Sequence, residues 1–141
     1  MKKLWLTLGI AVMLFNDCCK YQYPEKITTR YFNLNDTTSI HVKQTLINQA
    51  DNISITFDSV KNDSRCPTGA ECDQVGNAVV VFHYTKDYNS VYFTLNTLST
   101  MGNDSTIDHY NIKLITLLPY PSIHTQMKPD EYVSKLWVSK N

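Results

Sequence analysis

The four cysteines are the residues of this chain with the most specific chemistry, and they fall into two pairs. Cys18 and Cys19 are adjacent, whereas Cys66 and Cys72 are separated by five residues that begin with Pro67. Two thiols at the second spacing suit a disulfide in an exported protein. A zinc site needs four ligands, and neither paired histidines nor a second cysteine pair stands at ligand spacing. We therefore expect a Cys66–Cys72 disulfide and no metal site.

Side chains that could serve acid–base or nucleophilic catalysis are scattered along the chain. The four histidines lie in four different segments, and the carboxylates form no obvious pair. The strings Gly-x-Ser-x-Gly, Ser-x-x-Lys and His-Glu-x-x-His are absent from the sequence. These patterns predict no catalytic residue, no cofactor and no enzyme. A hydrolase whose site forms only when the chain folds remains an alternative.

Length and charge set limits on the fold and on the partners. A chain of 141 residues that is 43% hydrophobic has the size and composition of one domain with one core. Thirteen Lys plus Arg balance 13 Asp plus Glu, so no overall field attracts nucleic acid. We expect a single folded domain and no nucleic-acid partner.

The first residues have the pattern of an export signal. Lys2 and Lys3 precede an uncharged apolar stretch, residues 4–15, and Cys18 follows shortly after. As a helix this stretch would span about 18 Å, since each residue contributes about 1.5 Å. A membrane span needs about 20 residues, so a permanent transmembrane helix is not expected.

The cysteines after the apolar stretch resemble the lipobox of bacterial lipoproteins, whose first mature residue is an acylated cysteine. Cys18 (or Cys19) is then the lipidated residue, which anchors the chain to the membrane of the cell envelope. The corresponding organisation is a lipoprotein signal peptide over 1–17, a tether over 18–26 and a single β domain over 27–141. The alternative is a secreted protein with a spare cysteine pair.

The rest of the chain has the pattern of strands. Apolar and polar residues alternate with period two over several short segments, and no stretch of 12 residues carries a helical stripe. Turn residues cluster between the segments, at 35–36, 61–63, 87–89 and 102–104. The segment 78–84 is apolar on both faces, which predicts a central strand covered on both sides. The predicted strands include 40–46, 53–57, 78–84, 91–95, 110–118 and 132–139. We expect an all-β fold, a small antiparallel β-sandwich (Ig-like) or barrel of about seven or eight strands.

The string Asp-Ser-Arg-Cys-Pro at 63–67, followed by Cys72, Gly76 and a valine-rich segment, resembles a family of small uncharacterised bacterial envelope lipoproteins. Leu-Pro-Tyr-Pro at 118–121 is similar to the ending of that family. The family places an aromatic residue two positions after the second cysteine, where this chain has Gln74. The resemblance implies β architecture, export and a disulfide, and it implies no catalytic residue.

These observations favour a non-enzymatic binding or structural module, anchored by lipid in the cell envelope and facing the periplasm or the surface. Its partner would be a protein or a glycan, and the candidate binding loop carries Arg65, Pro67 and Glu71. A proteinase inhibitor that presents the same loop is the alternative, because a rigid loop enters a cleft at low entropic cost. Tyr84, Tyr88 and Tyr92 could form a platform for sugars, although tyrosine is also a common strand residue.

Overall fold

The computed structural model describes residues 28–141, which form nine β-strands and two single turns of 3₁₀ helix. The predicted signal peptide and tether, with Cys18 and Cys19, lie outside the described residues. Among the residues that are described, no helix is long and apolar enough to cross a membrane. The strands are β1 (Thr29–Tyr31), β2 (Thr37–His41), β3 (Thr45–Asn48), β4 (Ile53–Asp63), β5 (Ala78–Lys86), β6 (Asn89–Asn96), β7 (Asp104–Ile107), β8 (Tyr110–Leu118) and β9 (Val133–Lys140).

The strands form two sheets around one core. The first sheet has the order β1-β3-β4-β5-β6 and the second has the order β2-β9-β8-β7. All neighbouring strands are antiparallel except β1, which runs parallel to β3. Inward side chains of both sheets belong to one hydrophobic cluster, which includes Ile40, Ile55, Phe57, Phe82, Leu95, Ile112 and Leu136. The prediction of a small all-β sandwich is confirmed, with nine strands instead of seven or eight, and the fold is not a closed barrel.

The position of β5 confirms one half of the prediction made for 78–84. β5 lies inside its sheet, between β4 and β6. Its inner side chains Val80, Phe82 and Tyr84 are fully buried. Its outer side chains are only half-buried, however, so one face of the strand is covered and not both.

The predicted strand 40–46 is in fact the end of β2 and the start of β3, which belong to different sheets. The chain turns at Val42 and Lys43, and Lys43 has a left-handed φ of 63°. The Val42 N–H donates to Tyr132 O at 3.0 Å, beside the second sheet, and the Lys43 N–H donates to Phe57 O at 2.7 Å in the first. These two bonds replace the ladder that a continuous strand would have made.

Bulges overturn two further predictions. The predicted turn 61–63 is the end of β4, which stays paired to β5 through two register shifts. β8 has a register shift between Leu114 and Thr116. A bulge moves the following side chains to the opposite face, so Leu117 is buried and Leu118 is exposed, contrary to the period-two pattern.

Candidate functional site

Arg65 is buried beside the end of β4, where it forms a bidentate ion pair with Asp63. The residue is 6% exposed. Its Nε donates to Asp63 Oδ1 at 2.9 Å, and its Nη2 donates to Asp63 Oδ2 at 2.7 Å. The Arg65 backbone N–H also donates to Oδ1 at 3.2 Å, which holds the chain in a tight turn as it leaves the strand. A planar guanidinium fits a carboxylate in this geometry, whereas a lysine ammonium would contact it at one point.

The other hydrogens of the guanidinium reach a distant part of the chain. Arg65 Nη1 donates to Leu117 O at 2.6 Å, and Nη2 donates to Pro119 O at 2.9 Å. The ring of Tyr120 covers the guanidinium, with Arg65 Cζ 4.9 Å from its centroid. Arg65 therefore ties the segment after β4 to the end of β8 and to the first residue after it.

The carboxylate of Asp63 is held in its charged form. Burial by itself raises the pKa of Asp63, but the hydrogen bonds and charge of Arg65 lower it more, and the net pKa lies below the ordinary value. The Tyr132 hydroxyl donates to Asp63 Oδ2 at 3.0 Å. Burial and this bond to a carboxylate raise the pKa of Tyr132. The site is thus a charge-balanced structural network in which each group is satisfied.

Two loops meet above this network. The cysteine loop (residues 64–77) contains the Cys66–Cys72 disulfide, which forms as predicted. The proline loop (residues 119–128) lies beside it. The Thr68 N–H donates to Pro121 O at 2.8 Å, and the Ile123 N–H donates to Thr68 O at 3.3 Å. The two loops therefore form one unit.

The base of the cysteine loop is closed by a close backbone approach. Ser64 N–H donates to Asn77 O at 2.8 Å, and the Ser64 hydroxyl donates to the same oxygen at 2.9 Å. A Cβ on Gly76 would lie 1.6 Å from Ser64 O, so only glycine fits here. The loop is consequently fixed at its base, by the disulfide and by Arg65.

The side chains that this unit exposes include two carboxylates and three large apolar groups, beside several uncharged polar side chains and one lysine. Val75 is 76% exposed, and Tyr120 and Ile123 are each about half exposed. Glu71 and Asp73 are also exposed, and neither takes part in an ion pair among the residues the structure describes. We call these five residues the braced-loop surface.

A cleft of about 510 Å³ opens next to the arginine network. It lies between the second half of β4 and the segment 127–132, and Asp63 and Tyr132 line one end of it. Its wall includes Val42, Val60 and Met127, which pack against the core, and the exposed Lys43–Asp58 ion pair.

The structure separates the three residues of the predicted binding loop. Arg65 points inward, Pro67 is half-buried and Glu71 is exposed. Arg65 is therefore not available to enter a protease cleft, and only Glu71 has the exposure that the inhibitor hypothesis requires. Asp63 is part of the Asp-Ser-Arg-Cys-Pro string, but no role was predicted for it, and of the braced-loop surface only Glu71 was a predicted binding residue. The two-residue spacing of Asp63 and Arg65 was the available signal for the ion pair.

The three tyrosines of the predicted sugar platform do not share a face. Tyr84 lies in the core with no exposure, whereas Tyr88 is fully exposed at the turn between β5 and β6. Tyr92 is 64% exposed on the outer face, where it stacks on His83 with ring centroids 4.3 Å apart. A common platform is not formed.

The histidines remain dispersed in the fold, on β2, on β5, in the turn before β8 and in the proline loop. Within residues 28–141 no group of three or more His, Cys, Asp or Glu residues could hold a metal ion. Comparison of the chain with protein-family models, with curated proteins and with solved structures finds no match.

Proposed function

We propose that this protein is a lipid-anchored binding module of the bacterial cell envelope, without enzymatic activity, that captures a partner protein on its braced-loop surface. The family resemblance of the cysteine loop and the signal-like N-terminus favour this assignment over a soluble enzyme. The proposal is carried by one observation, the contrast between a fixed loop base and an exposed loop tip.

The base of the cysteine loop uses its polar groups internally. Arg65 and the disulfide hold the loop, and Thr68 joins it to the proline loop. A loop that is ordered before binding loses little conformational entropy when a partner docks. A rigid base that carries exposed, unpaired side chains is therefore suited to recognition.

The chemistry of the braced-loop surface indicates the kind of partner. Glu71 and Asp73 present negative charge, while Val75, Tyr120 and Ile123 present apolar area. A protein surface with lysine or arginine beside apolar side chains is complementary to this arrangement. A glycan would satisfy the aromatic ring but would leave the aliphatic side chains without apolar contact.

The anchor is tested by the intact mass of the protein taken from its native envelope. A diacylglyceryl cysteine at the new N-terminus, with a mass two daltons higher after reduction, is the expected result. An unprocessed chain that begins at Met1 and has free thiols would contradict the envelope assignment.

The capture surface is tested by cross-linking the full chain in its own envelope. The double variant Glu71→Lys with Val75→Asp reverses one charge and removes one apolar contact, so it should lose the cross-linked partner. Asp36→Lys is the matched control, because Asp36 is an exposed carboxylate in the turn before β2, away from the cysteine loop. If the double variant keeps its fold and cross-links the same partner at the wild-type level, the braced-loop surface is not the capture site.

A further inference from the structure

β6 is an edge strand with unusually little protection against pairing with another strand. It ends the first sheet, and within residues 28–141 no strand pairs with its outer side. Its eight residues carry no charge and no proline, and its pairing with β5 continues over eight residue pairs without a bulge. Charges, prolines, bulges and short length are the devices that usually block such edges. The other edge strands, β1, β2 and β7, have only three to five residues each.

The hydrogen-bond pattern shows which residues of β6 face the open edge. In an antiparallel pair, successive residues direct their backbone groups alternately toward the neighbour and away from it. The Thr97 N–H donates to Ala78 O at 3.0 Å, on the side of β5. By alternation the backbone groups of Ser90, Tyr92 and Thr94 point away from β5.

The open edge ends after Thr94. The Asn96 N–H also points away from β5, but it donates to Gly102 O at 2.9 Å and is already satisfied. The free donors and acceptors therefore belong to Ser90, Tyr92 and Thr94. These three residues are symmetric about Tyr92.

We propose that β6 pairs in antiparallel orientation with β6 of a second copy of this chain, about a two-fold axis that passes midway between the two copies of Tyr92. Tyr92 then pairs with the partner's Tyr92, and Ser90 pairs with the partner's Thr94. All three residue pairs are of the hydrogen-bonded kind, which gives about six main-chain hydrogen bonds. A register centred on Phe93 would extend the pairing to Asn96, whose N–H is already bound to Gly102 O.

Side chains on both faces of the strand fit this register. On the inner face Val91, which is 42% exposed, meets the partner's Phe93 and gains apolar contact. On the outer face one side of the Tyr92 ring is covered by His83, and the ring remains 64% exposed. The partner's Tyr92 would cover the free side, since directly opposed aromatic side chains on one face attract each other. No like charges meet, because β6 has none.

The proposal is independent of the envelope function and is tested by cysteine substitution in the full chain. Opposed residues of a hydrogen-bonded pair have Cα atoms about 5.5 Å apart, within the range of a disulfide. Tyr92→Cys should therefore cross-link to its own copy under mild oxidation. Ser90→Cys and Thr94→Cys should cross-link when mixed and much less when each is alone. Peptide mass mapping distinguishes these disulfides from any that Cys18 or Cys19 forms. The unsubstituted chain, which contains only the latter, is the control.

Sedimentation equilibrium of the full chain tests the same contact without cross-linking. The contact is short, so we expect a weak dimer that forms at roughly 0.1 mM, typical of small interfaces. Tyr92→Lys places two like charges at the axis and should weaken dimerisation at least tenfold. Tyr88→Lys makes the same change outside residues 90–94 and should have little effect. A monomer at about 1 mM, or a preferred link through Phe93→Cys, would overturn the proposal, and the edge would then be open to a strand of another protein.

Discussion

Replacement of Arg65 by methionine should destabilise this domain more than any surface substitution near it. Methionine retains the apolar stem but removes every hydrogen-bond donor of the guanidinium. The Asp63 side chain, which is 9% exposed, would keep only the Tyr132 hydroxyl as a side-chain partner. The Leu117 and Pro119 carbonyls would lose the donors that join the two loops.

The expected loss follows from the burial of the pair. Removal of one partner from a buried ion pair costs about 3–5 kcal/mol, because the other charge remains uncompensated. A domain of this size has a free energy of unfolding of about 5–15 kcal/mol, so the loss is a large fraction of the total. Asp63→Asn in the same chain removes the carboxylate charge that Arg65→Met leaves unpaired. The double variant should therefore lose less unfolding free energy than the sum of the two single losses, by about 1–3 kcal/mol.

Urea unfolding with the disulfide intact measures these differences through the midpoint and the slope. Lys61→Met is the matched control, since Lys61 is an exposed cation four residues before Arg65, and it should change stability by less than about 0.5 kcal/mol. A loss under about 1 kcal/mol for Arg65→Met, or strictly additive losses in the double variant, would refute the assignment of Arg65 as the clamp between the loops.

Two further predictions concern the same end of the domain. The pKa of Asp63 is lower in the folded chain than its unfolded value of about 3.9. The carboxylate therefore adds stability above about pH 4 that is lost as the pH falls through the folded pKa. When the free energy of unfolding is measured against pH, it should fall less on acidification in Asp63→Asn than in the unsubstituted chain. Equal decreases in the two proteins would contradict this linkage. Gly76→Ala forces a Cβ against Ser64 O and should open the base of the cysteine loop, seen as faster hydrogen exchange of the Ser64 amide. Gly102→Ala is the control, because its Cβ would meet open space and the only cost is the strain of its positive φ, more than about 1 kcal/mol. Similar exchange of the Ser64 amide in the two variants would show that the close approach at Gly76 is unimportant.

Local patterns in the sequence were sufficient for the fold class. The alternation at Ile53, Ile55 and Phe57 places all three side chains in the core, as the period of two requires. The Asp87-Tyr88 turn and the stop of β8 before Pro119 also follow from residue types alone. The short spacing of Cys66 and Cys72 was enough to predict their disulfide.

Other features depend on contacts between distant residues. The break at Val42–Lys43 is set by bonds to Tyr132 and Phe57, one beside each sheet, which the alternating pattern of 40–46 does not encode. The bulge in β8 likewise depends on its register with β9.

Arg65 shows most clearly what the tertiary structure decides. Its position in a braced loop predicts an exposed cation, because an isolated arginine is more stable in water than in a protein interior. The folded chain brings Asp63, Leu117 O and Pro119 O around it and compensates the lost hydration. The sequence thus determined most of the strands and turns and the disulfide through local conformational preferences. The burial of Arg65 and the joining of the two loops arise only when segments more than 50 residues apart meet, and the open edge of β6 depends on the order of the strands in the sheet.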